Sequence, residues 1–99
     1  MRDDIKALIE RRRRQILVHS YIYYECNDNT IDDATWSKWA LELETLQHDY
    51  PEESASAKYY SDFVNFDHST GAGLSYFKPE IMCAAEMLLR YKREHCVEE

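Results

Sequence analysis

The chain has 99 residues, of which 44% are hydrophobic and 31% are charged, and its formal net charge at pH 7 is −7. This composition excludes an intrinsically disordered chain and predicts one small soluble globular domain, with one core and at most one shallow site. The first 24 residues hold six basic and three acidic side chains, whereas residues 25–62 hold two basic and ten acidic ones. The molecule is therefore polarised, basic at its start and acidic in its middle.

A helical hairpin is predicted for the first half of the chain. Residues 3–26 have apolar side chains at three- and four-residue steps, as a half-buried helix requires. That stripe comprises Ile5, Leu8, Ile9, Ile16, Ser20 and Tyr23. Residues 27–30 have turn composition, and Asp32 is suited to cap a second helix over residues 33–49, which Pro51 ends. The short link between the two helices predicts an antiparallel arrangement.

The second half is predicted to be less regular until a last helix begins at Pro79, a residue favoured in the first turn. The buried stripe of that helix is predicted to comprise Ile81, Ala84 or Ala85, Leu88 and Tyr91. The predicted fold class is therefore all-α, with a single domain over residues 1–99. Residues 1–52 form the hairpin, residues 53–77 an irregular connection of loop or short helix, and residues 78–96 the C-terminal helix.

Three cysteines, Cys26, Cys83 and Cys96, stand far apart and are odd in number, so neither a disulfide framework nor a zinc site is predicted. Cys83 lies in an apolar stretch and is predicted to be a core thiol. The N-terminus is charged, and no stretch approaches the ~18 apolar residues of a membrane span. We therefore expect neither a signal peptide nor a membrane anchor. The scattered cysteines suit a reducing compartment, so we expect a cytoplasmic protein.

The hairpin brings a polar and aromatic cluster together at its turn, where Tyr23, Tyr24, Asp33 and Trp36 are predicted to lie close to one another. Aromatic rings beside a carboxylate suit a flat, hydroxylated ligand, and Arg11, Arg12, Arg13 and Arg14 could contact its phosphate. The alternative is that these rings only hold the two helices together, and composition alone favours that interpretation.

The segment LVHSYIYYECNDNTIDDATWSKWALELETLQHDYPE, residues 17–52, carries four recognisable elements: Tyr-x-Tyr-Tyr, Ile-x-Asp-Ala, Glu-Leu-x-x-Leu and Tyr-Pro-Glu. In identity and spacing they resemble the N-terminal Ia domain of bacterial NAD-dependent DNA ligases. In that family the hairpin closes over the nicotinamide mononucleotide half of NAD and aids self-adenylation. The resemblance implies a free-standing relative of the kind found in bacteriophages and mobile elements.

Carried over position by position, the resemblance assigns ligand contacts to Tyr23, Tyr24, Asp33 and Trp36. Ser37 stands where the family has a second aspartate, so one carboxylate of the ligand site is lost, and Trp36 lacks the hydroxyl of the family's tyrosine. The family's lysine nucleophile stands in a Lys-x-Asp-Gly motif, which these 99 residues do not contain. The chain is therefore expected not to be an enzyme and to require no cofactor.

Other polar groupings are weaker candidates. Asp67, His68 and Ser69 are adjacent, whereas the members of a catalytic triad come from separate elements. The segment from Ser69 to Gly73 lacks the lysine and glycine spacing of a phosphate-binding loop. The four histidines, His19, His48, His68 and His95, form no pair at metal-ligand spacing. Direct nucleic-acid binding is not expected, because one short basic run stands in an acidic protein.

The lost carboxylate at Ser37 and the missing catalytic domain favour the first of three functions, and the other two are kept as alternatives. The first is a protein-interaction module, such as an inhibitor or modulator, that presents an acidic face of Glu42, Glu44, Asp49, Glu52 and Glu53 to a basic partner. The second is a module that binds NAD or nicotinamide mononucleotide. The third is an accessory lid for the catalytic chain of an NAD-dependent DNA ligase. A homodimer is compatible with each of them.

Overall fold

The computed structural model describes residues 2–28, 31–64, 66 and 74–95 of the chain. Five helices occur in these ranges: α1 (Asp3–Glu25), α2 (Asp33–Asp49), α3 (Pro51–Ser56), α4 (Tyr60–Phe63) and α5 (Pro79–His95). The described residues contain no strand, so the all-α prediction is confirmed. The predicted limits of the three long helices agree with the structure to within one residue.

Local signals fix the ends of the helices. Asp32 caps α2 as predicted, because its carboxylate accepts a hydrogen bond from the Thr35 amide at 2.8 Å. Pro51 ends the α2 segment and occupies the first turn of α3. Pro79 likewise begins α5. Helix α1 packs against α2, α3 and α5, so it is the central element of the fold.

The core lies along α1 and is covered by the other elements. Its buried members include Ile9, Ile16, Leu17, Val18, Ile22, Ala40, Leu43, Ala57, Phe63, Tyr76, Ile81 and Ala85. Half-buried rings from α2, including those of Trp36 and Trp39, pack against this cluster. The core therefore contains side chains from the hairpin, from the connection and from α5.

A buried arginine joins four segments of the chain. The Arg13 guanidinium donates to the Gln47 side chain at 2.9 Å, and to the carbonyl oxygens of Ala57 at 3.2 Å and Lys58 at 2.9 Å. It also donates to the Ser54 carbonyl at 3.1 Å and hydroxyl at 2.7 Å. Burial lowers the pKa of Arg13 to about 10, so the side chain stays charged at neutral pH. This network fixes α1 against α2 and the segment after it.

Three predictions about burial are wrong. Tyr23 is exposed, because α1 buries Val18 and Ile22 near its C-terminus. Helix α5 buries Ile81 and Ala85, four residues apart, so its inner face is rotated away from Leu88 and Tyr91. Cys83 lies on the exposed side of the same helix and is not a core thiol.

Candidate functional site

The turn of the hairpin has a defined backbone geometry on both sides. At the end of α1, the Cys26 amide donates to the Tyr21 and Ile22 carbonyls, and the Asp28 amide donates to the Ile22 carbonyl at 3.2 Å. Asn27 has a φ of 56°, the left-handed conformation that commonly ends a helix. With the Asp32 cap at the start of α2, these bonds position the side chains around the turn.

The residues predicted to contact a nucleotide lie at this turn, mostly exposed. Tyr23 is 53% and Tyr24 43% exposed, and Asp33 and Ser37 are exposed on the first turns of α2. Trp36 is half-buried against the core. Four of the five side chains are therefore open to solvent, and that of Trp36 is partly covered.

The aromatic rings of α1 and α2 do not all meet as predicted. His19 contacts Trp39, with 5.6 Å between ring centroids. Tyr23 is one helical turn after His19 and Trp36 is one turn before Trp39, so both lie towards the turn of the antiparallel hairpin. Among the described residues, however, Tyr23 has its ring contact with Tyr24, at 5.0 Å, and none with Trp36.

Tyr24 packs against a segment from outside the hairpin. Its ring lies parallel to that of Tyr76, with a centroid distance of 6.4 Å. The Tyr76 ring in turn contacts Phe77 at 5.1 Å, and Phe77 contacts Tyr21 at 5.8 Å. Phe77 is 64% exposed. The exposed rings of Tyr23, Tyr24 and Phe77, grouped around the buried Tyr76, are named the aromatic patch below.

A hydrogen bond anchors the centre of the aromatic patch. The Tyr76 hydroxyl donates to a Glu25 carboxylate oxygen at 2.7 Å. Burial, with the hydrogen bond to Glu25, raises the pKa of Tyr76 to about 12, so the phenol remains protonated and keeps donating at neutral pH. This role of Tyr76 and Phe77 was not predictable, because their partners on α1 are more than 50 positions away in the chain.

The four consecutive arginines of α1 have different environments. Arg13 is buried and its donors are occupied inside the fold, so it is not presented to a phosphate. Arg12 donates to Glu42 at 3.1 Å and lies over the Trp39 ring at 5.7 Å. Arg11 and Arg14 are exposed and line a groove between α1 and α5. Of the four arginines predicted to contact a phosphate, Arg11 and Arg14 are therefore the accessible ones.

The predicted acidic face is partly occupied by contacts within the chain. Glu42 pairs with Arg12. Glu53 is buried, and the Arg2 amide donates to its carboxylate at 2.8 Å, which holds the pKa of Glu53 below its usual value. Asp49 and Glu52 are exposed and Glu44 is half-buried. The surface that the five acids present is therefore smaller than their number indicates.

The part of the chain that the structure describes contains no group of three His, Cys, Asp or Glu side chains able to hold a metal ion. No helix within that part is long and apolar enough to cross a membrane. Residues 67–73, with the Asp67, His68 and Ser69 grouping and the two glycines, lie outside the described residues, as do Cys96 and the His95 side chain.

One comparison with known proteins gives a relative. Over 75 residues, 68% of this chain, the sequence is 32% identical to a DNA ligase of Pseudothermotoga lettingae. The match is longer than residues 17–52, and it confirms the resemblance to DNA ligases. The chain spans 11% of that ligase, which is consistent with a fragment like the N-terminal part of a ligase. No family model and no solved structure matches the chain.

Proposed function

We propose that this chain is a non-catalytic, ligase-related binding module that docks onto a protein partner through the aromatic patch. The observation that carries the proposal is the exposure of Tyr23, Tyr24 and Phe77 on one connected set of rings. Contiguous exposed apolar surface on a small domain is typical of an interaction site. Tyrosine is also among the residues that contribute most binding energy at protein interfaces.

The aromatic patch is held in place before any partner arrives. Tyr76 is buried beneath it and bonded to Glu25, and Tyr24 lies flat against Tyr76. Rings that are already ordered lose little conformational entropy on binding, so more of the contact energy is available for affinity. This preorganisation distinguishes the patch from scattered exposed apolar residues such as Leu41.

The surroundings of the patch indicate the charge of the partner. Asp32 and Asp33 lie at the start of α2, beside the same turn, and both are exposed. Opposite charges at the rim of an interface accelerate association and select partners. A partner with an apolar pocket and a basic rim fits this end of the molecule. The kinship with DNA ligases favours a partner that handles nucleotides or DNA, including a ligase.

The proposal is tested by quantitative capture from a lysate of the organism that encodes the chain, with the wild type and two variants as bait. Tyr23→Ser with Phe77→Ser removes two rings of the patch. Leu41→Ser is the matched control, because Leu41 is exposed on α2 away from the patch. The proposal expects proteins that the wild type and the control retain and the patch variant loses. If all three baits retain the same proteins equally, the proposal is wrong.

A second candidate function is recognition of nicotinamide mononucleotide or NAD. In one form of it, the chain would bind the nucleotide as a lid for a separate catalytic chain. It is supported by the exposure of Asp33 and Ser37 beside Trp36, which leaves a carboxylate and a hydroxyl open to a ligand. Calorimetric titration with nicotinamide mononucleotide tests it. Binding weaker than about 1 mM, or binding that Asp33→Ala leaves unchanged, would reject this candidate.

A further inference from the structure

A second surface, distinct from the aromatic patch, lies in a groove between α1 and α5. The groove has a volume of about 900 Å³, and Lys58 and Tyr59 also line it. Helix α1 contributes Arg11, Arg14 and Val18 to it, and α5 contributes Ala84, Met87 and Leu88. Each wall also has one carboxylate, Glu10 on α1 and Glu80 on α5, so the groove combines exposed arginines, two acids and an apolar part of α5.

The apolar wall is a second stripe on α5. The inner stripe, which includes Ile81 and Ala85, packs into the core, whereas Ala84, Met87 and Leu88 follow at three- and four-residue steps on another side. Met87 is 62% exposed, and Leu88 is also exposed. Ala84 also packs against the core, whereas Met87 and Leu88 are exposed, so core packing does not explain these two apolar side chains.

The two arginines on the other wall are not paired with the carboxylates of the groove. Within the described ranges, Arg11 and Arg14 form no hydrogen bond or ion pair. The two carboxylates of the groove accept hydrogen bonds from neutral donors: Glu10 from the Lys58 amide at 3.0 Å, and Glu80 from the Tyr59 hydroxyl at 3.0 Å. The lining therefore has three cationic side chains against two carboxylates, a net formal charge of 3 − 2 = +1. The Lys58 ammonium lies over the Tyr59 ring at 5.4 Å, which leaves Arg11 and Arg14 as the cations open to a ligand.

We infer that the groove binds an acidic amphipathic helix of another protein. The apolar side of such a helix would cover Met87 and Leu88, and its carboxylates would pair with Arg11 and Arg14. Helices bind in apolar grooves through residues spaced by three and four, and flexible methionine side chains adapt well to them. Arginine fits carboxylates because its guanidinium can form two parallel hydrogen bonds with them. This surface is independent of the aromatic patch.

The test uses the full ¹⁵N-labelled chain and a designed helical peptide of about 14 residues, with leucine at a three-four spacing and glutamate on both flanks. A control peptide has lysine in place of every glutamate. The inference expects amide shifts at Val18, Ala84 and Met87 with the acidic peptide, and at least about tenfold weaker binding of the lysine peptide. Equal binding of the two peptides, no binding, or shifts confined to the hairpin turn would overturn it.

Two double variants separate the groove charge from total charge. Arg11→Gln with Arg14→Gln removes two charges from the groove wall, and Arg90→Gln with Arg93→Gln removes two exposed charges of α5 outside the groove lining. The groove variant is expected to weaken acidic-peptide binding by at least about fivefold and the control by less than about twofold. Equal losses of binding in the two variants would contradict the inference. Shifts at Met87 that depend on protein concentration in the absence of peptide would also contradict it, because they indicate that a second copy of the chain occupies the groove.

Discussion

The two ends of the α1–α2 hairpin use their polar and aromatic residues in opposite ways. Away from the turn, Arg13 is buried and donates hydrogen bonds to the Gln47 side chain, the Ser54 hydroxyl and three backbone carbonyls. At the turn, Tyr23 and Tyr24 are exposed, and the single hydroxyl bond of Tyr76 supports them from below. The first end maintains the fold, and the second presents a surface. Residues of the arginine end should therefore affect stability more than those of the turn.

The largest expected effect comes from the arginine end. Replacing Arg13 with methionine removes the donor to the Ala57 and Lys58 carbonyls and the Ser54 hydroxyl, and each buried acceptor left without a donor costs ~1–3 kcal/mol. The free energy of unfolding should fall by at least ~3 kcal/mol, as measured by urea denaturation. Arg14→Met is the control on the exposed side and should change it by less than ~0.5 kcal/mol. If the two variants lower the free energy of unfolding equally, the buried network of Arg13 does not stabilise the fold as described.

A smaller effect is expected at the turn, from Tyr76→Phe. The change removes the hydrogen bond to Glu25 and keeps the ring stacked on Tyr24, so the free energy of unfolding should fall by ~1–2 kcal/mol. Tyr23→Phe removes a hydroxyl from an exposed ring and should leave stability within ~0.5 kcal/mol of the wild type. Chemical denaturation of both variants measures this. A Tyr76→Phe protein as stable as the wild type would show that Glu25 does not anchor the patch.

The smallest expected effect is a pH dependence of stability that comes from His19. This residue lies on α1 between Arg13 and Tyr23. Burial lowers the pKa of His19 below its usual 6.5, so the folded state disfavours the imidazolium that the unfolded chain forms. The free energy of unfolding should therefore have its full value above about pH 6.5 and decrease as the pH falls below that value. Denaturation at a series of pH values should show a shallower decrease for His19→Gln than for the wild type. An unchanged slope in His19→Gln would refute this assignment.

The helices were predictable because their signals are local. The periodic apolar residues, the Asp32 cap and the prolines at 51 and 79 mark the ends of α1, α2 and α5, as the structure has them. The inner face of α5 was not predictable, because two apolar stripes fit the same helix and tertiary packing chooses between them. The burial of Arg13 was not predictable either. It lies on the buried stripe between Ile9 and Ile16, but a charged side chain can be buried there only because its acceptors, 34 to 45 positions away in the chain, pack against it.

The candidate site was predictable in part. The sequence placed Tyr23, Tyr24, Asp33 and Trp36 at the turn of a hairpin, and the structure has all four there. The contribution of Tyr76 and Phe77 depends on how the segment before α5 folds back onto α1, which no local pattern specifies. The resemblance to DNA ligases likewise indicated the hairpin and contained no information about the ring that supports Tyr24.

The most direct test of the central claim, that the turn end binds a protein, is site-specific photo-crosslinking in living cells of the source organism. A p-benzoylphenylalanine residue replaces Phe77 in the patch or Leu41 on α2, two positions of similar exposure. Irradiation should give a discrete adduct of higher mass from position 77 and none from position 41. No adduct from position 77, or the same adduct from both positions, would contradict the claim.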